Sequence, residues 1–321
     1  MKNHKFIPAI ILTIVFAVMA QAQDDEVISV NTDLVTVNVA VRDGKGNYIK
    51  GLKAGQFEVY DNRTKQPIDI FSAEEGLVSF GIVYDMHPTT EARTIATLES
   101  LRQFTAELPR SDNFFVTVFN ERGNLTTDFV PTLEQVNKNL NTGAPNSLYD
   151  AVYQAAGKLR EKKTQKHTLL IISDGEDHNS HHSYKELRRR LRSMSAQVYA
   201  VIHDDQRNLQ WSYSDISRNG PTRRVPFETP KLESAAIVDI AKKSGGEAYT
   251  ETLENRQRLY AIYKEIASEM TQQYTLGFSP DVTDGRWHSL SVRVRPLTKE
   301  KKKWVVSYRK GYQSPPPKNV K

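Results

Sequence analysis

The chain has 321 residues, enough for one large domain or two of ordinary size and too many for a single small module. Hydrophobic residues at 38%, charged residues at 26% and a mean hydropathy of −0.56 exclude a disordered chain and a multi-span membrane protein. The formal charge of +6 is too mild to argue for nucleic acid, and the absence of cysteine excludes disulfide scaffolds, thiolate metal sites, thiol catalysis and a lipidated cysteine.

Lys2, His4 and Lys5 precede an apolar run from Phe6 to Ala20, and Ala20-Gln21-Ala22 is a small-x-small cleavage pattern. Residues 1–22 therefore read as a secretory signal peptide, the alternative being an uncleaved anchor helix, for which the run is short. Its removal takes away two lysines and no acids and lowers the formal charge from +6 to +4. An exported chain without cysteine points to a bacterial protein, periplasmic or secreted, with no membrane span once the signal is cleaved.

Val35, Val37, Val39 and Val41 alternate with more polar neighbours, which predicts a half-buried strand. Short strands at Tyr48-Ile49, Phe57–Tyr60 and Ile68–Phe71 follow, so residues 23–76 read as antiparallel β. From residue 77 to 272 continuous apolar runs (Leu77–Tyr84, Phe114–Phe119, Thr168–Ser173, Gln197–Ile202) alternate with helical patterns. That is the signature of an α/β domain with a mainly parallel, doubly wound sheet. Ser183-Tyr184-Lys185-Glu186 is a capping box that fixes one helix start. Residues 203–231 predict a long irregular loop. The β pattern returns over residues 273–312, at Tyr274–Phe278, Leu290–Arg295 and Trp304–Tyr308, and residues 313–321 read as a disordered tail. About four strands before the α/β domain and three after it approach the seven of an Ig-like β-sandwich, so the α/β domain is expected to be inserted into a sandwich formed by both chain ends. Two separate small β units are the alternative.

In an open parallel sheet, ligands bind beyond the carboxyl ends of the strands, and Asp85 and Asp174 both end apolar runs there. A carboxylate in such a place is costly unless it is paired, capped or bound to a cation. With the segments Leu148-Tyr149-Asp150-Ala151, Ser173-Asp174-Gly175-Glu176-Asp177, Tyr274–Phe278 and Arg309-Lys310-Gly311-Tyr312, the chain resembles von Willebrand factor type A (VWA) proteins, in the secreted form found in acidobacterial genomes.

The resemblance implies a VWA/Rossmann-like fold and a metal-ion-dependent adhesion site. Its ligand positions fall on Asp85, Thr89, Asn146 and Asp174, with His87 in place of a serine. Two of the five positions are altered, so the site is degenerate. It would take one divalent cation, Mg²⁺ or Mn²⁺, or Zn²⁺ or Ni²⁺ where His87 ligates, or none. His87, Glu176, Asp177, His178, His181 and His182 form a candidate partner-binding rim, though a plain solvated loop explains the same residues. The expected function is protein–protein interaction or adhesion through these loops, with an unidentified envelope or extracellular protein as partner, no nucleic acid and no catalytic residues. The alternative is a haloacid-dehalogenase-like, Mg²⁺-dependent phosphohydrolase using Asp85.

Overall fold

A computed structural model of the chain describes residues 34–73, 78–86, 91–108, 114–120, 122–139, 141–142, 147–161, 166–178, 180–203, 234–251, 255–295 and 304–317. The expected signal segment, the loop at 204–231, and His87, Thr89 and Asn146 lie outside these residues.

The central element is a seven-stranded sheet of order β11-β10-β9-β5-β6-β7-β8. Its strands are β5 (Val78–Asp85), β6 (Phe114–Asn120), β7 (Gly123–Thr127), β8 (Asn141–Thr142), β9 (Lys166–Ser173), β10 (Gln197–His203) and β11 (Ala248–Glu251). The five strands from β11 to β6 run parallel, while β7 and β8 add antiparallel edges. Because β5 leads outward to β6 on one side and its other neighbour is β9, the chain reverses direction across the sheet between β5 and β9, which defines a topological switch point.

Alternation along each strand assigns the faces. Phe80, Ile82 and Tyr84 of β5 pack with Leu98, Leu101 and Phe104 of α1 (Glu91–Glu107), Val136 of α2 (Leu133–Asn139) and Tyr263 and Ile266 of α6 (Arg256–Thr271). Val83, Phe115, Leu169 and Ile171 pack on the other face against α3 (Leu148–Glu161), α4 (Tyr184–Ser193) and α5 (Ser234–Ser244). Burial on both faces is why these strands are continuously apolar. Gly81 is required by packing, since a Cβ there would lie 2.7 Å from both Leu169 and Phe115. The capping box at Ser183 is present and starts α4.

Both chain ends build two four-stranded antiparallel sheets. One has the order β14-β1-β12-β4, from β14 (Val305–Ser307), β1 (Val35–Arg42), β12 (Tyr274–Phe278) and β4 (Ile70–Ser72). The other has the order β15-β13-β2-β3, from β15 (Gly311–Gln313), β13 (Trp287–Val294), β2 (Phe57–Asp61) and β3 (Thr64–Gln66). The valines of β1 share one core with Phe57, Val59, Leu276, Phe278, Leu290 and Val292, so the two sheets form a sandwich.

Three details depart from expectation. Among the described residues the sandwich has eight strands: β3 and β15 escaped the pattern, and the expected Tyr48-Ile49 strand is absent. The turn into β3 uses Asn62 and Arg63 at φ of 44° and 73°, and with arginine where glycine is usual its sequence carries little hairpin signal. Tyr48 makes only a single bridge to Arg42 instead of a strand. At the start of the expected tail, Gln313 ends β15 and Ser314 is buried, donating its N–H to the Arg286 carbonyl at 2.8 Å, while residues 318–321 lie outside the described residues.

The sandwich meets the α/β unit through charge. Arg42 at the end of β1 reaches Glu265 at 3.1 Å and both Glu247 and Glu269 at 3.4 Å. Glu269 is 1% exposed and accepts the Tyr48 hydroxyl at 3.1 Å. Burial pushes the Glu269 carboxyl above its usual range, with Arg42 opposing that shift.

Inside the sandwich, His288 Nδ1 lies 2.9 Å from both Asp61 oxygens and Nε2 lies 3.1 Å from Asp284, while the Tyr312 hydroxyl donates to Asp61 at 2.8 Å. Burial disfavours the imidazolium, but the two carboxylates outweigh it and raise the His288 pKa. A raised folded pKa contributes stability that is fully present below the unfolded value and lost as pH rises through the folded one. Urea unfolding followed from about pH 5 to pH 9 should therefore show stability falling through neutrality, and His288→Gln should flatten that slope. An identical slope in the variant would count against the pairing.

Candidate functional site

The candidate site lies at the switch point, where β5 ends at Asp85 and β9 ends at Ser173. Asp85 projects to the α3 side of the sheet with Val83, two residues before it in the strand. It is 2% exposed, and Ser173 Oγ donates to its Oδ2 at 2.8 Å. The same hydroxyl accepts the Gly175 N–H at 3.0 Å. Ser173 thus joins the two strand ends, and it offsets the cost of burying Asp85. Sequence reasoning passed over Ser173, which reads as the last residue of an apolar strand.

Asp174 follows and starts the loop. Its Oδ1 accepts the Glu176 N–H at 2.9 Å, a side-chain-closed turn. Gly175 has φ of 86°, and a Cβ there would stand 2.7 Å from the Ser234 backbone at the start of α5, so both conformation and space call for glycine.

The rest of the loop is tied to the first turn of α3 through Asp150, which the sequence marks only as part of the Leu148-Tyr149-Asp150-Ala151 segment. Asp150 accepts the backbone N–H of His181 at 3.0 Å and of His182 at 2.9 Å, and its oxygens lie 3.0 Å and 2.6 Å from the two Nδ1 atoms. Ser147 Oγ donates to it at 3.2 Å. Asp177 Oδ1 takes the Tyr149 N–H at 3.0 Å and the Ser180 hydroxyl at 2.6 Å. Burial works against ionising Asp150, but the donors of His181 and His182 prevail and hold its carboxyl well below the usual carboxylate range. An acid in the first turn also complements the helix dipole.

This network sorts the expected rim. Asp177 and the Nδ1 side of both histidines face the scaffold. His182 also stacks on Tyr153, with ring centroids 3.8 Å apart. The outward face consists of Glu176, His178, which lies 3.3 Å from Glu176, and the His181 ring, whose side chain is 80% exposed. Of the expected metal ligands the described residues include Asp85 and Asp174, both at the switch point. Among the described residues no group of three or more His, Asp or Glu side chains is arranged to hold a metal ion. The donors on view are the Asp85 and Asp174 carboxylates and the Ser173 hydroxyl, which donates to Asp85 at 2.8 Å and lies 3.5 Å from Asp174. Among the described residues no helix is long and apolar enough to cross a membrane.

No family model matches the chain, and no curated protein does. Several solved structures are similar to it. BatB, a conserved hypothetical protein from Bacteroides thetaiotaomicron, is 13% identical over 60% of this chain and 98% of its own, with a TM-score of 0.38. The ArnB paralog VWA2 from Sulfolobus acidocaldarius is 11% identical over 88% of this chain and 76% of its own, with a TM-score of 0.38. A von Willebrand factor type A protein from Catenulispora acidiphila is 9% identical over 90% of this chain and 76% of its own, with a TM-score of 0.42.

Proposed function

We propose that the protein is an exported binding protein that engages a protein partner through the loops beyond β5 and β9. The observation that carries this reading is the anchoring of the 174–183 loop to α3 by Asp150 and Asp177, which fixes one face and turns Glu176, His178 and His181 outward. A surface held in its binding conformation loses little entropy on association. The VWA-like sequence segments and the strand order around the switch point support the same reading.

Catalysis has less to stand on. A phosphohydrolase needs its aspartate presented to a phosphoryl group, whereas Asp85 is buried and bonded to Ser173. The proposed binding does not pass through a cation, so Asp85 and Asp174 act here as structural carboxylates of a degenerate site. Calorimetric titration with Mg²⁺, Mn²⁺ and Zn²⁺ is expected to give no heat that Asp174→Ala abolishes. Capture of a partner from a bacterial envelope extract is expected to be indifferent to chelator and to be lost in a Glu176→Ala, His181→Ala double variant. Chelator-sensitive capture would show that a cation is required.

A further inference from the structure

A second cleft lies at the opposite end of the sheet. Helix α4 runs back from the strand ends, so its last turn and that of α5 sit near the start of β10, where the sandwich packs against them. The cleft is shallow and open to solvent, with a cavity volume of about 30 Å³, and brings together Arg188 and Arg192 of α4, Lys243 of α5, Arg309 and Trp287.

Its charges are unevenly compensated. Asp239 is the acid beside it, and it is engaged by Lys243 at 2.7 Å and by the Tyr184 hydroxyl at 2.6 Å. Arg188 lies over the Tyr184 ring, four residues from the like charge of Arg192. The Arg192 guanidinium stacks 4.1 Å from the Trp287 ring centroid and makes no ion pair within the described residues. Stacking of this kind leaves the planar fork's N–H edge available. Trp287 packs closely on Gly311, where a Cβ would come within 2.5 Å of its ring.

Arg309 is 8% exposed, bonded to Ser195 Oγ and the Thr36 carbonyl, and its Nε has no hydrogen-bond partner among the described residues. Four basic side chains beside Asp239 leave the cleft net positive, which favours an anion. Burial pulls the Arg309 pKa down to about 10, the direction that a bound carboxylate would reverse.

We propose that this cleft binds an acidic peptide segment of a partner protein, seating an Asp or Glu carboxylate on Arg192 and Arg188 and an adjacent apolar side chain against the exposed part of Trp287. The exposed part of Trp287 decides between anions. A free phosphate would satisfy the guanidinium forks but leave that ring uncovered, whereas a carboxylate with an apolar neighbour covers both. The site is separate from the strand-end crevice, so it stands or falls independently of the function proposed above.

The test is calorimetric titration of the full chain with an acetylated, amidated hexapeptide of alternating Glu and Leu, and with its Gln counterpart. The Glu peptide is expected to bind, and the Gln peptide to bind at least about tenfold more weakly. Arg192→Gln and Trp287→Ala are each expected to lose about tenfold at unchanged melting temperature, with Arg188→Gln as a second charge variant and Asp174→Ala binding as the parent does. Absence of binding at about millimolar peptide, equal binding by Arg192→Gln, or tighter binding of inorganic phosphate or of phosphatidylglycerol vesicles would each overturn the proposal.

Discussion

Asp150→Ala is expected to destabilise the protein by about 3 kcal/mol and to release the 174–183 loop. The carboxylate accepts two backbone N–H groups and faces two imidazole nitrogens at 3.0 Å or less. Charge-assisted hydrogen bonds contribute roughly 1.5–3 kcal/mol each, and a donor left without a partner costs a similar amount. The full sum does not apply, because the His181 ring is solvated and water replaces Asp150 there. The change should also carry a pH signature. The folded pKa of Asp150 is depressed, so its contribution is present above the unfolded value of about 3.9 and lost as pH falls through the folded one. Parent and Asp150→Asn should therefore differ most near neutrality and converge in acid. Urea titrations at several pH values measure this, and hydrogen exchange at residues 176–182 reports whether the loop has come free. Unchanged protection in that loop would show that something else holds it.

Arg42→Met is expected to cost about 3 kcal/mol, because it leaves Glu269 buried without its cation. Glu247 and Glu265 are more exposed and lose little. The pH dependence has the opposite sign to that of Asp150. Burial already raises the Glu269 pKa, and removing Arg42 raises it further, so Arg42→Met should lose stability as pH rises from about 4 through that raised value. Adding Glu269→Gln should recover most of the loss, since a neutral amide is much cheaper to bury than an unpaired carboxylate. A double variant no more stable than Arg42→Met would mean that the loss comes from Arg42 packing over Tyr48, where it lies 5.6 Å from the ring centroid.

The α/β core was legible because two-sided burial writes itself directly into runs such as Phe80–Tyr84 and Leu169–Ile172. The valine alternation of β1 was equally plain, and the sandwich followed from strand arithmetic. What stayed hidden was pairing that leaves no periodic trace. β3 is three residues behind an Asn-Arg turn, and β15 is three residues near a proline run. At the candidate site, Asp85 and Asp174 were found by their position at strand ends. Asp150 and Ser173 were not, because their roles come from partners about thirty and ninety residues away, and spacing along a chain does not encode such contacts. The available signal was an acid in the first turn of α3 together with a histidine pair just before a helix cap at Ser183.

The sandwich is closed by strands from opposite ends of the chain: Asn38 pairs with Thr275 in β12, 237 positions away. A polypeptide that emerges amino terminus first can close the β2–β3 pair at once but presents β1 and β4 long before their partners β12 and β14 exist. β1 then offers a valine-rich edge, and that kind of exposed strand recruits other chains. The intervening α/β unit has its own two cores and can condense in the meantime, bringing α6 and the adjoining β12 to the waiting β1. The order of assembly is thus written into the topology: the scaffold finishes last, its rate is limited by long-range closure, and a chain truncated before residue 274 would lack the strand that buries its first one.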